Sequence, residues 1–368
     1  MRICLNPYVE GSGIGTYILE LANYLAENTE HEIIAIGDTK LAHHPKIKVY
    51  QTPKKNSFWT QVPPISWFYF VWEDFLISRL VNSIRPDVFH TSDNVVFNTI
   101  KCPTVQVGWD YPRGPIDCIK LTMSYERRWL LPYRILRELE MGLRGWYVNK
   151  TVTKVLGVTK HVTSKLYSNG VFIPPGINIR KNDEKRSDKF TITFVARNHL
   201  WIKRKGLRFL LDALMLIESD KVEYDLVLIG NVPKGFESVL QKYDPIKRHI
   251  QIKGLLPRAE TLKLIKRSHF LAAPSLYEEF GFAIIEAMSY GIPIIASNGN
   301  ESFKEMIGAG GICVDIKNAK LFSLELHKLI MSQELLKKLS ENAISQISKN
   351  YSWDKIIPDI LKLYKETI

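Results

Sequence analysis

Two glutamates with seven residues between them, Glu278 and Glu286, are the acidic residues whose spacing first indicates chemistry. An apolar run ends at Pro274 just before them, residues 281–290 have helical composition, and a second apolar run follows at 292–297. This pattern predicts a strand, a loop, a helix and a strand. In such a unit the loop opens at the carboxyl end of a parallel sheet, where these folds bind ligands. A carboxylate in that loop or helix can be held for the hydroxyl groups of a ligand.

The carboxylate of Glu286 needs an explanation because three apolar residues precede it in the predicted helix. Burying an unpaired carboxylate costs roughly several kcal/mol. The side chain therefore either lies on a solvated helix face or is held for a ligand, and composition alone slightly favours the solvated face. The first amides of the helix are a second feature, since a helix N-terminus attracts phosphate. These amides belong to Phe280, Gly281 and Phe282.

The complete stretch resembles the signature of the family 4 glycosyltransferases, which are retaining enzymes of the GT-B fold. The residues that carry this resemblance are Glu278, Phe280-Gly281, Glu286-Ala287-Met288, Gly291-Ile292-Pro293 and Ala296-Ser297. Glu279 departs from the signature, which usually has Gly or Pro at that position. The resemblance extends over nearly the whole chain and is strongest from Lys189 to Asp315.

The resemblance implies an α/β protein of GT-B architecture, in which two Rossmann-like domains face an interdomain cleft. The length of 368 residues is also that of roughly two domains. The acceptor-side domain is expected at residues 1–173, together with a C-terminal helix, 352–368, that crosses back to it. The nucleotide-sugar-binding domain is expected at 174–351. Two helical segments are expected to follow the strand at 311–316.

A glycine-rich turn between the first strand and the first helix has glycines at positions 11, 13 and 15. Glycines let the backbone approach a ligand closely, although a tight structural turn explains them equally well. The turn resembles the first loop of the family, Gly-Gly-x-Gly, with Ser12 in place of one glycine. The resemblance implies that Gly13 and Gly15 help to bind the donor.

A strand at 103–112 ends in Trp109-Asp110, where many members of the family have His-Asp. The family histidine lines the sugar pocket, and here a tryptophan stands in its place. Its role is therefore unfilled or has moved, with His90 as the substitute. Trp109, Asp110 and His90 are the candidate acceptor-side residues.

Two aromatic segments of the first domain leave two interpretations open. Residues 57–77 predict either a helix buried against the sheet, which is favoured, or an aromatic surface for an acceptor or a membrane. Residues 125–150 predict either a basic helix on an anionic membrane or an ordinary outer helix covered by arginine stems. Residues 101–170 contain 12 Lys and Arg but 5 Asp and Glu, which favours an anionic partner.

The second domain offers cations behind its first strand, which is predicted to end at Arg197. The family has Gly-Arg after this strand and Lys-Gly at the start of the next helix, matched here by Ala196-Arg197 and Lys205-Gly206. The gap between them is longer than usual, so Lys203 and Arg204 are stand-ins. Two cations suit a diphosphate, whose departing charge needs positive partners. A later strand ends at Gly254, where relatives seat the nucleotide base.

Residue by residue, the resemblance implies that Glu286 holds the ribose hydroxyls and Glu278 those of the donor sugar. Arg197 and Lys205 would neutralise the diphosphate, and with Glu278 they form the catalytic set. The reaction would be a retaining hexosyl transfer from a nucleoside-diphosphate sugar to a glycan or lipid-linked acceptor. No Asp-x-Asp motif occurs, so neither a metal ion nor a cofactor is expected.

Two other classes of function stay open. One keeps the fold and changes the chemistry, as in a sugar-nucleotide epimerase or a phosphorylase. The other is a non-catalytic basic protein that binds a membrane or nucleic acid, but no helix-turn-helix, zinc spacing or aromatic-basic sheet motif favours nucleic acid.

The composition is that of an ordinary globular protein with a basic charge balance. Hydrophobic residues make up 45% and the net charge is +12. The four cysteines form no C-x-x-C pair and are expected to be reduced packing residues. The chain begins directly with a predicted strand, so a cytoplasmic protein is expected, peripheral on the inner face of a membrane if the basic segment docks there.

Overall fold

The computed structural model describes most of the chain, and it divides these residues into two compact units. Unit 1 comprises Met1–Gly176 and Trp353–Ile368, and unit 2 comprises Ile177–Ser352. The chain first passes from unit 1 to unit 2 between residues 176 and 177, three residues after the expected boundary at 173/174. The described residues are 1–6, 13–37, 43–52, 65–92, 99–108, 152–166, 169–197, 200, 203–217, 222–276, 278, 280–299, 301–315 and 318–368.

Unit 1 contains a parallel sheet of seven strands in the order β3-β2-β1-β4-β5-β6-β7. Its central strands are short apolar runs that are buried on both faces, as is typical of parallel sheets covered by helices. Ile3, Cys4 and Leu5, for example, are fully buried in β1. The strands are β1 (Arg2–Asn6), β2 (Glu32–Gly37), β3 (Lys48–Gln51), β4 (Val88–Thr91), β5 (Thr104–Gly108), β6 (Lys154–Gly157) and β7 (Gly170–Phe172).

The described helices of unit 1 are α1 (Gly13–Asn28), α2 (Ile65–Ile84) and α3 (Lys160–Leu166). The aromatic segment at 57–77 thus enters α2, as predicted, but Trp72 is 61% exposed and Phe75 45% exposed. The described part of α2 is therefore not wholly buried against the sheet. The basic segment at 125–150 lies outside the described residues.

The end of the chain returns to unit 1 as a helix, Trp353–Thr367, labelled α12 below. Trp353 stacks on Tyr17 of α1 with ring centroids 5.8 Å apart, and the Tyr24 hydroxyl donates to Asp354. Trp353 and Tyr364 are almost completely buried. The predicted return of the C-terminal helix to the first domain is confirmed.

Unit 2 contains a second parallel sheet, of six strands in the order β10-β9-β8-β11-β12-β13. β8 lies in the middle of this sheet, between β9 and β11. β8 and β11 are therefore adjacent, although more than 70 residues separate them in the sequence. The strands are β8 (Thr191–Ala196), β9 (Asp225–Gly230), β10 (Ile250–Gly254), β11 (Phe270–Ala273), β12 (Ile294–Ser297) and β13 (Gly311–Val314).

The helices of unit 2 cover this sheet with apolar faces. Three helices, rather than the two segments predicted, follow β13, because Ser332 ends one helix and caps the next. The α-helices are α4 (Leu207–Ile217), α5 (Phe236–Leu240), α6 (Asp244–Lys247), α7 (Arg258–Arg267), α8 (Phe282–Ser289), α9 (Glu301–Ile307), α10 (Ala319–Met331), α11 (Gln333–Asn350) and, back in unit 1, α12. None of the helices within the described ranges is long and apolar enough to cross a membrane.

Candidate active site

The carboxyl ends of the unit 2 strands collect most of the predicted site residues. β8 ends one residue before Arg197, β10 ends at Gly254 just before α7, and β11 leads into the loop that carries Glu278. Glu286 lies within α8, which follows that loop. Because parallel strands end at the same edge of a sheet, residues from distant parts of the sequence meet here.

Two loops touch each other directly at this edge. The backbone amide of Leu276, behind β11, donates to the carbonyl of Arg204 over 2.8 Å. Gly206 has a φ of +74°, and a Cβ at this position would lie 2.0 Å from the carbonyl oxygen of Pro274. A side chain at Gly206 would thus force the loops apart and strain the backbone. The glycine of the predicted Lys-Gly pair is therefore required by this close approach.

The contact between the loops brings Lys205 and Glu278 together. The Lys205 Nζ lies 2.6 Å from Glu278 Oε2, and the side chains are 23% and 16% exposed. Sequence analysis predicted both residues for the site but not that they pair. Such a partly exposed pair can exchange its protein partner for a ligand, because water still reaches both groups.

Glu286 is held by an arginine that sequence analysis did not select. Arg258 donates to Glu286 Oε1 from Nε at 2.8 Å and places a second guanidinium nitrogen 2.7 Å from the same oxygen. The Glu286 side chain is 13% exposed, so the solvated face favoured by composition is wrong. The carboxylate is mostly buried, and a cation compensates its charge.

The helix α8 begins without a side-chain cap. Gly281 occupies the N-cap position and has no side-chain oxygen to offer to the first amides. Phe280 is 7% exposed and packs edge-on against Phe282, with ring centroids 5.0 Å apart. These rings pack together at the start of the helix.

Further cations were predicted for the site, among them Arg197 and, as a stand-in, Lys203. Arg197 is exposed at the end of β8, and its carbonyl accepts from the Asn231 amide over 3.0 Å. Lys203 and Lys205 lie in one turn of 3-10 helix. Only the backbone of Lys203 is described, so its part as a stand-in stays a prediction.

Unit 1 places its predicted residues differently. Gly13 and Gly15 lie in the first turn of α1, with Gly15 buried. Trp109 and Asp110 lie outside the described residues. His90 is fully buried; its Nδ1 is hydrogen-bonded to the Tyr364 hydroxyl, and burial lowers its pKa to about 3.

The aromatic surroundings of His90 account for this burial, and its predicted role as the substitute for the family histidine on the acceptor side stays a prediction. The ring lies edge-on to Tyr17, at 6.4 Å between centroids, and to Tyr364, at 5.7 Å. The ring is thus enclosed by aromatic side chains of α1 and α12. This contact could not be predicted from local sequence patterns, because Tyr364 is 274 residues away.

Residues 177–346 match the family described as Glycosyl transferases group 1. This match covers almost the whole of unit 2. The predicted glycosyltransferase class is thereby confirmed for the domain that contains both ion pairs. An uncharacterized glycosyltransferase of Methanocaldococcus jannaschii is 27% identical over 237 residues, which are 62% of this chain and 65% of that relative.

Solved structures extend the likeness from the group 1 domain to both units. Sucrose-phosphate synthase from Thermosynechococcus elongatus aligns over 100% of this chain and 98% of its own, with 16% identity and a TM-score of 0.76. Anabaena HepE in complex with UDP and glucose aligns over 99% of both chains, with 14% identity and a TM-score of 0.66. These alignments confirm the predicted GT-B fold class. In sequence, the chain spans 43% to 65% of the length of three curated relatives.

Proposed function

We propose that this chain is a metal-independent, retaining glycosyltransferase of the family 4 type. It would move a hexosyl group from a nucleoside-diphosphate sugar to a hydroxyl group of a glycan or lipid-linked saccharide. The observation that carries the proposal is that both glutamates of the signature lie at the carboxyl edge of a group 1 domain, each beside a cation. The likeness to HepE supports the donor class, because that protein is in complex with UDP and glucose.

The two glutamates divide the donor between them. Glu286, behind α7 and β10, would accept hydrogen bonds from the ribose hydroxyls. Glu278, one loop away and beside Lys205, would accept them from the sugar. Charge-assisted hydrogen bonds to a carboxylate are about twice as strong as neutral ones, so they suit a ligand with many hydroxyl groups.

Lys205 lies beside the glutamate that would bind the sugar, and it would also stabilise the leaving group. When the bond between the anomeric carbon and the phosphate oxygen breaks, its electron pair leaves with the diphosphate. Lys205, Arg197 and the first amides of α8 would stabilise that growing negative charge. The acceptor oxygen forms the new bond on the same face of the sugar, and a departing phosphate oxygen takes its proton.

The turn at the end of β10 is the proposed binding surface for the nucleotide base. Gly254 has a φ of +73°, and a Cβ built there would meet no atom within 4 Å. The neighbouring Leu255 side chain is 57% exposed. An open backbone beside an apolar side chain is a suitable surface for a flat, partly apolar ring.

A donor screen tests the proposal. The protein is incubated with UDP- and GDP-linked hexoses, and the release of nucleoside diphosphate is measured with and without EDTA. We expect slow release from at least one donor, equal in both conditions, and an α-linked product from an α-linked donor. An absence of release from every donor would contradict the enzyme, and loss of release in EDTA would contradict metal independence. Conversion of the donor to its epimer would instead indicate an epimerase.

We also propose that unit 1 docks on an anionic membrane surface that carries the acceptor. The support comes from the basic surplus of 101–170 and from the exposed aromatic rings Trp72 and Phe75 of α2. Each cation near such a surface is worth about 1 kcal/mol, so three or four give reversible docking. The sequence offers Arg127, Arg128, Arg134, Arg137 and Arg144, with Trp129 and Trp146 at the interface.

Sedimentation with vesicles tests the docking. We expect binding to vesicles that contain anionic lipid at low salt, little binding to neutral vesicles, and release near 1 M salt, where the Debye length is about 3 Å. Equal binding to both kinds of vesicle, or none to either, would leave the ordinary helix as the better interpretation of the basic segment.

A further inference from the structure

Arg258 stands at the first position of α7, directly behind the turn that ends β10. Its Nε donates to Glu286 Oε1 at 2.8 Å, and Nη2 lies 2.7 Å from the same oxygen. Two nitrogens of a rigid, planar guanidinium therefore converge on one carboxylate oxygen. A lysine, with a single flexible ammonium group, would not fix the carboxylate plane in the same way.

The exposure of the pair indicates that it does more than hold the fold. The Arg258 side chain is 39% exposed, whereas that of Glu286 is 13% exposed. The arginine thus compensates a mostly buried charge while it stays accessible from outside the protein. Neither side chain belongs to the apolar core of unit 2, which is built from the sheet and helices such as α4 and α10.

We infer that Arg258 is a positioning residue that orients the Glu286 carboxylate toward the ribose hydroxyl pair of the donor. The inference rests on the proposed function, in which Glu286 holds the ribose. Arg258 fixes the rotamer of Glu286 before the donor arrives, so less side-chain freedom is lost when the ribose binds. It also compensates the charge of the mostly buried carboxylate, and an ionised carboxylate is a pure acceptor for two hydroxyl groups.

A comparison of ribose with 2′-deoxyribose tests this role. UDP, GDP and their 2′-deoxy forms are titrated calorimetrically into the wild type, Arg258→Gln, Arg258→Lys and Glu286→Gln. In the wild type we expect the better-binding base to prefer ribose by about 10-fold, or about 1.4 kcal/mol. Arg258→Gln should reduce that preference to about 2-fold while binding of the 2′-deoxy form stays almost unchanged. Arg258→Lys should give an intermediate preference, because it retains charge but not the planar fork.

Lys263→Gln is the matched control, since it removes an exposed cation from the same helix and should keep the full preference. Retained binding of the 2′-deoxy form shows that each variant is folded.

The possible failures are distinguishable. If Glu286→Gln keeps the ribose preference, or if the wild type has none, the ribose role in the proposed function is wrong and the inference falls with it. If Glu286→Gln abolishes the preference and Arg258→Gln keeps it, the inference alone is overturned. If Arg258→Gln weakens ribose and deoxyribose forms equally, Arg258 contacts the base or the phosphates itself, and the positioning role is again overturned.

Discussion

The carboxyl edge of unit 2 and the buried centre of unit 1 hold their ionisable side chains in opposite ways. In unit 2, Glu278 and Glu286 lie 13% to 16% exposed, each beside a cation. In unit 1, His90 is fully buried between two tyrosines. Burial lowers its pKa to about 3, so the ring is neutral near neutral pH.

This difference indicates that the unit 2 groups are suited to binding a ligand, whereas His90 is suited to stabilising the fold. The ion pairs of unit 2 can exchange partners with a charged ligand, because the cations stay accessible and the glutamates are already mostly desolvated. The buried histidine can exchange nothing without opening its unit, and its bond to Tyr364 instead fixes α12 to the sheet. The contrast predicts that substitutions in unit 2 change ligand affinity or turnover, and that substitution of His90 changes stability.

Lys205→Gln should have the largest effect. Removing one group that stabilises developing charge lowers turnover by about 10²- to 10³-fold. The affinity for the free nucleoside diphosphate should fall much less, because the charge on the leaving group grows toward the transition state. Steady-state kinetics with the donor found in the screen and calorimetry with the product measure the two effects.

Lys189→Gln is the control for this variant. Lys189 also forms ion pairs, at 2.9 Å with Asp225 and 3.3 Å with Glu223, but at the amino end of the sheet. It should therefore leave turnover unchanged. A Lys205 variant with normal turnover and weakened binding would transfer the charge-stabilising role to Lys203, Arg204 or Arg197.

Glu286→Gln should have the next largest effect, on binding. Loss of a charged acceptor for the ribose hydroxyls weakens affinity for the nucleoside diphosphate by roughly 1.5–3 kcal/mol. Calorimetric titration measures the change directly. Glu325→Gln removes a comparable glutamate, 20% exposed and 2.6 Å from Lys328 on α10, and should bind normally. Unchanged affinity in the Glu286 variant would remove its role in donor binding.

The sequence allowed the local parts of this site to be predicted, and the structure was needed for the pairings. Glu278, Glu286 and the Lys205-Gly206 turn belong to short motifs whose strand and helix context is legible from periodicity. Arg258 is 28 residues from Glu286, and they meet because β10 and β11 end at the same edge. No periodicity in one segment carries that information.

The same limit applies to the burial of His90, which was not predicted. Its position near the end of a strand, followed by polar residues, is typical of a ligand-binding edge. The side chain that covers it comes from the last helix of the chain, whose return to unit 1 was predicted only as a whole. Resemblance to a family can predict that a helix packs on a domain. It cannot predict which side chain of that helix covers a given residue, such as Tyr364 over His90.

The smallest effect is expected from His90→Gln, on the pH dependence of stability. An ordinary histidine in the unfolded chain binds a proton below about pH 6.5, whereas burial lowers the pKa of His90 in the folded chain to about 3. Acid therefore favours unfolding, and the contribution of His90 is lost as the pH falls from about 6.5 toward 3. The loss is about 1.4 kcal/mol per pH unit, or about 2 kcal/mol between pH 6.5 and 5.

The slope of stability against pH isolates this contribution. His90→Gln also loses packing against Tyr17 and Tyr364, so its stability at pH 7 should fall as well, but its loss between pH 7 and 5 should be smaller than that of the wild type by about 2 kcal/mol. His161→Gln, which removes an exposed histidine from the same unit, should keep the wild-type slope. Denaturant unfolding followed by circular dichroism at both pH values gives these slopes. Equal slopes for His90→Gln and the wild type would mean that the folded chain protonates His90 readily, and the contrast between a buried neutral centre and an ion-paired edge would then be wrong.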